Sequence, residues 1–434
     1  MARNPYSPGV GTRPPYLAGR EQQIHRFRRL LEDYPEKRRN LRITGLRGVG
    51  KTVLLKEYER IARRHEWVVV RRDWSTRFCE EADFATALAG YLTEAVEALS
   101  VKARIKKRVA AAMNAIGQVQ LQIADGVSVS MRASSEQAVP ALLEDRLREA
   151  LMRIGEIARG QGRGVALLFD EAHSVYDRQA KHQFPLGALL SALVAAQDDD
   201  EHPMPIMLVL CGLPPLVGNI HAARSNAERL FRAEVIDNLS LTPEPPDELS
   251  VAAQALVRPV TDIAYAPGVA DCVARDVDGY PYFIQWFGEA LWEAADLEGT
   301  ATITAKLYER ERVAIQRSLD EEFFEPRYRD ARQADQATLR IAASLDGERF
   351  TKAELDVATD RSTGALSQSL IRLIADNLIY RDDHGVYAYT APMFGDFMRR
   401  RYPRLRPASG GPRPWPTGRP TSTRRRTRRP RGGG

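Results

Sequence analysis

The chain has 434 residues and an ordinary hydrophobic fraction of 44%, long enough for two or three domains, each with its own core. No apolar run reaches the roughly 18–20 residues of a membrane helix, which argues against a membrane partner. Cys79, Cys211 and Cys272 are odd in number, far apart and without metal spacing, and point to a reducing, cytoplasmic setting. The net charge of +6 is uneven: eight arginines and no acid lie beyond residue 406, so the first 406 residues sum to about −2 and the basic character belongs to the tail.

Residues 1–16 are rich in Pro and Gly, read as an extended segment, and lack the apolar stretch of a secretory signal. Ile24, Phe27, Leu30 and Leu31 then recur at helical spacing. Leu41-Arg42-Ile43-Thr44 is a short strand, and Thr52 to about Arg64 is an amphipathic helix. Between them stands Gly45-Leu46-Arg47-Gly48-Val49-Gly50-Lys51-Thr52, the G-x-x-x-x-G-K-T phosphate loop known as Walker A. Its glycines let successive backbone N–H groups and a helix N-terminus face a phosphate. Lys51 would reach the β- and γ-phosphates, and the Thr52 hydroxyl would hold Mg²⁺. Strand, loop and helix together make this a binding site for nucleoside triphosphate rather than a chance Gly-rich turn.

Trp67–Arg71 is a β-branched run expected as a buried strand, and a helix follows from about Glu80 to Leu99. Residues about 100–138 read as an insertion. They open with a basic patch, Lys102, Arg104, Lys106, Lys107 and Arg108, which is either a nucleic-acid contact or a solvated helix face. Val119–Ile123 and Val127–Met131 alternate apolar and polar about an Asp-Gly turn, so a β-hairpin is expected. After a helix at Ala141–Arg159, Val165-Ala166-Leu167-Leu168-Phe169 runs into Asp170-Glu171-Ala172-His173. A buried parallel strand that delivers two acids at its C-terminal edge is the Walker B pattern. Asp170 would join the Mg²⁺ shell, and Glu171 would orient and deprotonate the attacking water. The alternative for such a pair is a helix cap with a first-turn acid. Asp-Glu-Ala-His also spells a helicase box, but no further helicase motif follows it.

Ile206–Cys211 is another buried strand, and a fifth is expected around Val235–Leu241. Thr242-Pro243-Glu244-Pro245-Pro246-Asp247 reads as a domain boundary. A helical region follows, with Gly279-Tyr280-Pro281 opening an aromatic helix, and then a long charged helix at about Ile303–Phe323. Three short helices, at Gln336–Leu345, Thr351–Ala358 and Ser362–Leu373, precede the strands Ile379–Arg381 and Val386–Tyr389 about the turn Asp382-Asp383-His384-Gly385, the order of a winged helix. Its third helix would present Arg361, Ser362, Thr363, Gln368 and Arg372 to duplex DNA, although two aspartates in the wing turn would repel phosphate. A protein-docking or autoinhibitory role is the alternative. The last residues carry six arginines in the eight positions 424–431; they cannot build a core and would bind any polyanion without regard to sequence.

Taken in order, these motifs resemble AAA+/STAND-like P-loop ATPases of the origin-recognition, initiator-related type. The resemblance covers about residues 15–400. It implies that Gly19, Arg20 and Glu21 pack near the adenine and that Pro281 faces the nucleotide from a lid. It also implies an arginine finger just ahead of the fifth strand, for which Arg229 is the first choice and Arg232 the second; a surface arginine paired with Glu228 or Glu234 is the alternative. The polar sensor usual at the end of the fourth strand is replaced by Cys211 or Gly212, and the lid lacks its usual arginine. The expected architecture is α/β: an extended segment (1–16), a P-loop core with a parallel five-stranded sheet (17–245), a helical lid and linker helix (246–325), a winged helix (330–402) and a disordered Arg-rich tail (403–434). The nucleotide site comprises Gly45, Gly48, Val49, Gly50, Lys51 and Thr52, with Glu171, Lys51 and Arg229 as the catalytic residues and Thr52 and Asp170 for the metal. The expected activity is a Mg²⁺-dependent ATP hydrolysis that drives a molecular switch. The alternatives are a DNA-associated ATPase in replication, mobile-element or chromosome functions, and a regulatory scaffold that recruits a protein partner without turnover. A homo-oligomer fits the finger.

Overall fold

The computed structural model describes residues 3–9, 11–34, 40–100, 106–125, 143–198, 204–244, 249–259, 261–345, 347–359, 362–381 and 385–402. Five strands, β1 (Asn40–Thr44), β2 (Val68–Asp73), β3 (Val165–Asp170), β4 (Ile206–Gly212) and β5 (Phe231–Val235), form a parallel sheet in the order β2-β3-β4-β1-β5. β3 and β4 are buried along their whole length, as near-continuous apolar runs demand when both faces of a sheet are covered. Alternate residues feed two cores. Ala166 and Leu168 pack with α1 (Glu21–Glu32) and α2 (Lys51–Arg64), while Val165, Leu167 and Phe169 pack with α3 (Glu81–Ser100), α4 (Lys106–Asp125), α5 (Leu143–Arg159) and α6 (Pro185–Gln197). α7 (Leu216–Ala223) follows β4.

The expected hairpin is corrected by α4, which holds Val119–Ile123 in helix. A five-residue alternation also places its first and last residues four apart, on one helical face. Among the described side chains of α4, Ala112, Ala115, Ile116 and Val119 are buried, at helical spacing, and packing against neighbouring helices outweighs local β-propensity. Residues 127–131, Lys102 and Arg104 lie outside the described residues. The fifth strand also comes earlier than expected, at Phe231–Val235. It is an edge strand in which Phe231 and Glu234 are buried, and the buried Glu234 carboxylate accepts a hydrogen bond from Tyr58 Oη at 2.6 Å. Ile236 and Leu239 instead serve the crossing from the sheet to the next helices.

Beyond the sheet, two short pairs, β6 (Pro243–Glu244) with β7 (Leu249–Ser250) and β8 (Ala264–Tyr265) with β9 (Thr302–Ile303), frame α8 (Val251–Val257), α9 (Val269–Asp276) and α10 (Pro281–Leu297). Ser250 caps α8, and Pro281 sits in the first turn of α10, where its missing N–H costs nothing. The long charged helix is α11 (Ala305–Leu319), which passes through a π-helical turn, Asp320–Phe324, into α12 (Glu325–Asp330). That turn buries Phe323 and Phe324 in an aromatic cluster with Phe283, Phe394 and Phe397.

The C-terminal unit comprises α13 (Gln333–Ser344), β10 (Arg349–Thr351), α14 (Lys352–Ala358), α15 (Thr363–Ala375), β11 (Ile379–Arg381), β12 (Val386–Tyr389) and α16 (Phe394–Arg401). β11 and β12 pair antiparallel, and β10 adds a third strand on the other side of β12. A capping box between Thr351 and Glu354 starts α14. Arg372, expected to face DNA, is instead turned inward. Its Nε and Nη2 donate to the fully buried Asp335 carboxylate at 2.8 and 2.6 Å, because a buried carboxylate needs a charged partner. Arg361, the wing-turn residues 382–384 and the tail 403–434 lie outside the described residues. One apolar core runs from the α2 face of the sheet through α8–α10 to the C-terminal helices, so the three parts pack as neighbours.

Candidate nucleotide site

The loop after β1 is shaped by what touches it. A Cβ on Gly45 would stand 2.1 Å from the Ile236 carbonyl oxygen, and one on Gly48, whose φ is +76°, would stand 1.9 Å from Tyr280 Oη. Arg47 is held from two sides. Its carbonyl accepts from Tyr280 Oη at 2.5 Å, and its N–H donates to the Thr390 carbonyl of the C-terminal unit at 3.3 Å. Its Nε is buried and has no hydrogen-bond partner among the described residues.

α2 begins at Lys51, which is buried and whose Nζ donates to the Leu46 carbonyl at 2.7 Å. Burial pushes this ammonium below its ordinary range, opposed by Cys211, Asp170 and Glu171. Because β3 lies in the same sheet as β1, Asp170 meets the start of α2: Thr52 Oγ1 donates to Asp170 Oδ2 at 2.6 Å. The other oxygen, Oδ1, accepts from Glu171 N–H at 2.9 Å. Two hard oxygen donors at this contact form a set that suits Mg²⁺. Glu171 has a left-handed backbone, φ +51°, and its carboxyl is pushed up by burial, with Asp170 and Asp73 adding and Arg47 and Lys51 opposing. The Cys211 thiol is fully buried beside Asp170 and is driven well above its usual range, first by burial and then by that charge.

A cavity opens in front of this loop. Arg47 to Val53 and Glu171 form one wall, and Tyr16, Leu17, Ala18, Leu239 and Ala255 form an apolar one. Ser7, Pro8, Gly9, Gly11, Thr12 and Pro14 line it from the N-terminal side, near Tyr6, whose Oη donates to the Leu256 carbonyl at 2.5 Å. Tyr280, Pro281, Tyr282 and Gln285 line it from α10, and Phe323, Arg327 and Ala391 close it from the linker and the C-terminal unit.

Most of the residues singled out from sequence meet here: Gly48, Val49, Gly50, Lys51, Thr52, Glu171, Arg20 and Pro281 all line the cavity, and Asp170 touches Thr52. Gly45 stands behind the loop rather than in the cavity wall. Of the Gly-Arg-Glu triplet only Arg20 reaches the cavity; it donates to the carbonyls of Val49 at 3.0 Å and Asp237 at 2.9 Å, and burial lowers its pKa. Gly19 packs against Val251 and Leu239, and Glu21 lies on the outer side, accepting from Tyr16 Oη at 3.3 Å. Neither of those two is among the residues that line the cavity. Arg229 lies in the turn two residues before β5 and Arg232 within it; both are exposed and neither lines the cavity. Arg327 is the residue that sequence reading missed. The π-helical turn lays its guanidinium 3.8 Å from the centre of the Phe323 ring, and burial lowers its pKa, with Arg47 adding. No local pattern announces it, because it lies 276 residues after Lys51.

Residues 16–209 match the family model described as the AAA ATPase domain, and residues 321–398 match a domain of unknown function (DUF8462). No curated protein matches the chain. Among solved structures it is similar to the Orc1 protein of Aeropyrum pernix in complex with DNA (14% identity, TM-score 0.43, 89% of this chain and 94% of that one). It is also similar to the Aeropyrum pernix ORC2 protein in its ADPNP–ADP complexes (11%, 0.45, 91% and 96%) and to the Thermotoga maritima RuvB Holliday junction branch migration motor (13%, 0.39, 87% and 95%). With a complete phosphate loop, an Asp-Glu strand end facing it and the family match over both, residues 16–209 are a P-loop domain of the AAA ATPase type.

Proposed function

We propose that this protein is an ATP-driven switch whose nucleotide state sets the seating of the C-terminal unit, read as a winged helix. The observation that carries the reading is the hydrogen bond from Arg47 N–H to the Thr390 carbonyl. An amide of the phosphate loop is donated to the C-terminal unit, and a phosphate that takes this amide weakens the docking. Half-buried Arg47 and Arg327 both line the cavity beside this contact, where two like charges favour an anion between them and repel without one.

In this reading the triphosphate lies along Gly48–Thr52, with Lys51 neutralising its charge, and the base faces Tyr16, Leu17 and Ala18 under the Ser7–Pro14 segment. Thr52 and Asp170 hold Mg²⁺, which neutralises charge on the phosphate oxygens. Glu171 orients and deprotonates the attacking water, and a carboxyl pushed up by burial is the stronger base. Arg229, exposed beside the edge strand, is the group offered to a neighbouring copy of the chain. Wild type and Glu171→Gln test this: turnover lost with Mg·ATP still bound supports it, and equal turnover removes the catalytic assignment.

A further inference from the structure

The N-terminal segment is bound to the molecule at two ends of different strength. At one end Tyr6 is buried, and its ring lies on Gly288 of α10, where a Cβ would come 2.7 Å from the ring, so only a glycine admits it in this seat. Its Oη donates to the Leu256 carbonyl at 2.5 Å, in the last turn of α8, where carbonyls lack a partner within the helix. Asn4 Nδ2 donates to the Glu289 carbonyl at 3.1 Å and the Ser7 N–H to Gln285 Oε1 at 3.4 Å, both on α10. At the other end the contacts are exposed and belong to α2. The Gly11 carbonyl accepts from Lys56 Nζ at 2.7 Å, and Arg13 lies 3.8 Å from Glu57. Gly11 has φ +63°, and a Cβ there would stand 3.1 Å from both Lys56 Nζ and Thr52 Cγ2, so this backbone rests on the start of α2. Ser7, Pro8, Gly9, Gly11 and Thr12 line the cavity in front of the phosphate loop, and none of them carries a charge, which suits a base and ribose better than phosphates. Lys56 is not among the residues that line it.

We propose that this segment is a strap that retains the nucleotide, hinged at Tyr6 and latched to α2 by Lys56. Withdrawing a buried aromatic ring together with its buried hydrogen bond is costly, whereas an exposed ammonium exchanges the Gly11 carbonyl for water. The strap therefore opens at Gly11 and stays attached at Tyr6, and nucleotide leaves when the latch is open. The inference rests on the cavity being the nucleotide site.

The test measures release of radiolabelled ADP from the full chain after a chase with unlabelled ADP, and the affinities for ADP and for inorganic tripolyphosphate. Lys56→Met keeps the stem and removes the donor, and Lys56→Arg restores one; the position is exposed, so neither change disturbs the core. The expected result is release about tenfold faster in Lys56→Met, the effect of one charge-assisted hydrogen bond, and near-wild-type release in Lys56→Arg. Tripolyphosphate affinity stays unchanged, because the strap faces the nucleoside. Amide hydrogen exchange quickens at Gly9, Gly11 and Thr12 in Lys56→Met and not at Tyr6. Equal losses of ADP and tripolyphosphate affinity in Lys56→Met would assign Lys56 to the phosphate charge and overturn the strap. So would release at the wild-type rate despite quicker exchange at Gly11. A wild type that binds neither ADP nor tripolyphosphate overturns the nucleotide reading of the cavity, and the strap with it.

Discussion

Gly48→Ala tests whether the phosphate loop is shaped by Tyr280 at the start of α10. The backbone there has φ +76°, where an L-residue with a Cβ costs about 1–2 kcal/mol. The new Cβ would lie 1.9 Å from Tyr280 Oη, so the ring moves and its 2.5 Å hydrogen bond to the Arg47 carbonyl is lost, about 1 kcal/mol more. Together these come to about 2–3 kcal/mol, or roughly 30- to 150-fold in an equilibrium constant. If the loop keeps its shape in the free protein, the loss appears as a lower melting temperature. If the loop relaxes, it must be reshaped on binding, and the loss appears as weaker Mg·ATP affinity. Calorimetric titration and thermal melting therefore have to be read together. Tyr280→Phe, which removes only the hydroxyl, is expected to show the smaller part, about fivefold. Gly48→Ala with both wild-type melting and affinity within twofold of wild type would refute the contact between loop and Tyr280.

Thr52→Val removes the donor to Asp170 and one metal oxygen, and Mg²⁺-dependent ATP affinity is expected to fall at least tenfold; unchanged Mg²⁺ dependence in calorimetry would count against this pair as the metal site. Asp335 is buried, which by itself raises its pKa, but hydrogen bonds from Arg372 and Ser369 and the Arg372 charge outweigh this and hold the carboxyl below its ordinary range. A depressed folded-state pKa stabilises above the unfolded value of about 3.9, and this stability is lost as pH falls through the folded value. Melting followed by circular dichroism is thus expected to drop on acidification below about pH 4, with Asp335→Asn less stable at neutral pH and less sensitive to acid; a parallel acid response in both proteins would reject the ion pair as its source. Deleting residues 407–434 is expected to abolish salt-sensitive retention on duplex DNA, because Arg372 is taken by Asp335 and the described outward positions of α15, Thr363, Gln368 and Ile371, carry no charge. Retention that survives the deletion would return DNA contact to the folded part.

The amino-acid sequence by itself determined the elements whose chemistry is local. Gly45 to Thr52 must be a phosphate loop because glycine spacing, lysine and helix start act within eight residues of one another. Five apolar residues ahead of Asp170 and Glu171 must be a buried strand that exposes its acids at one end. Where a short alternation could serve two periods, as at Val119–Ile123, only packing between helices decided. The edge strand likewise moved to Phe231–Val235, since which apolar residues pair with β1 depends on how the chain must cross to α8.

What tertiary structure alone decided is the company the site keeps. Tyr6, Tyr280, Arg327 and Thr390 are scattered over the chain, and no pattern in their own neighbourhoods marks them for a phosphate loop. They converge because one apolar core joins the sheet to α8–α10 and these to the C-terminal helices, and because a π-helical turn buries Phe323 and Phe324 within that core. The same packing turned Arg372 inward and set His173 in the space beside Gly212. Local sequence can place a charge on a helix, but only burial fixes which partner it must find, because desolvation has a cost only once neighbouring elements have closed around it.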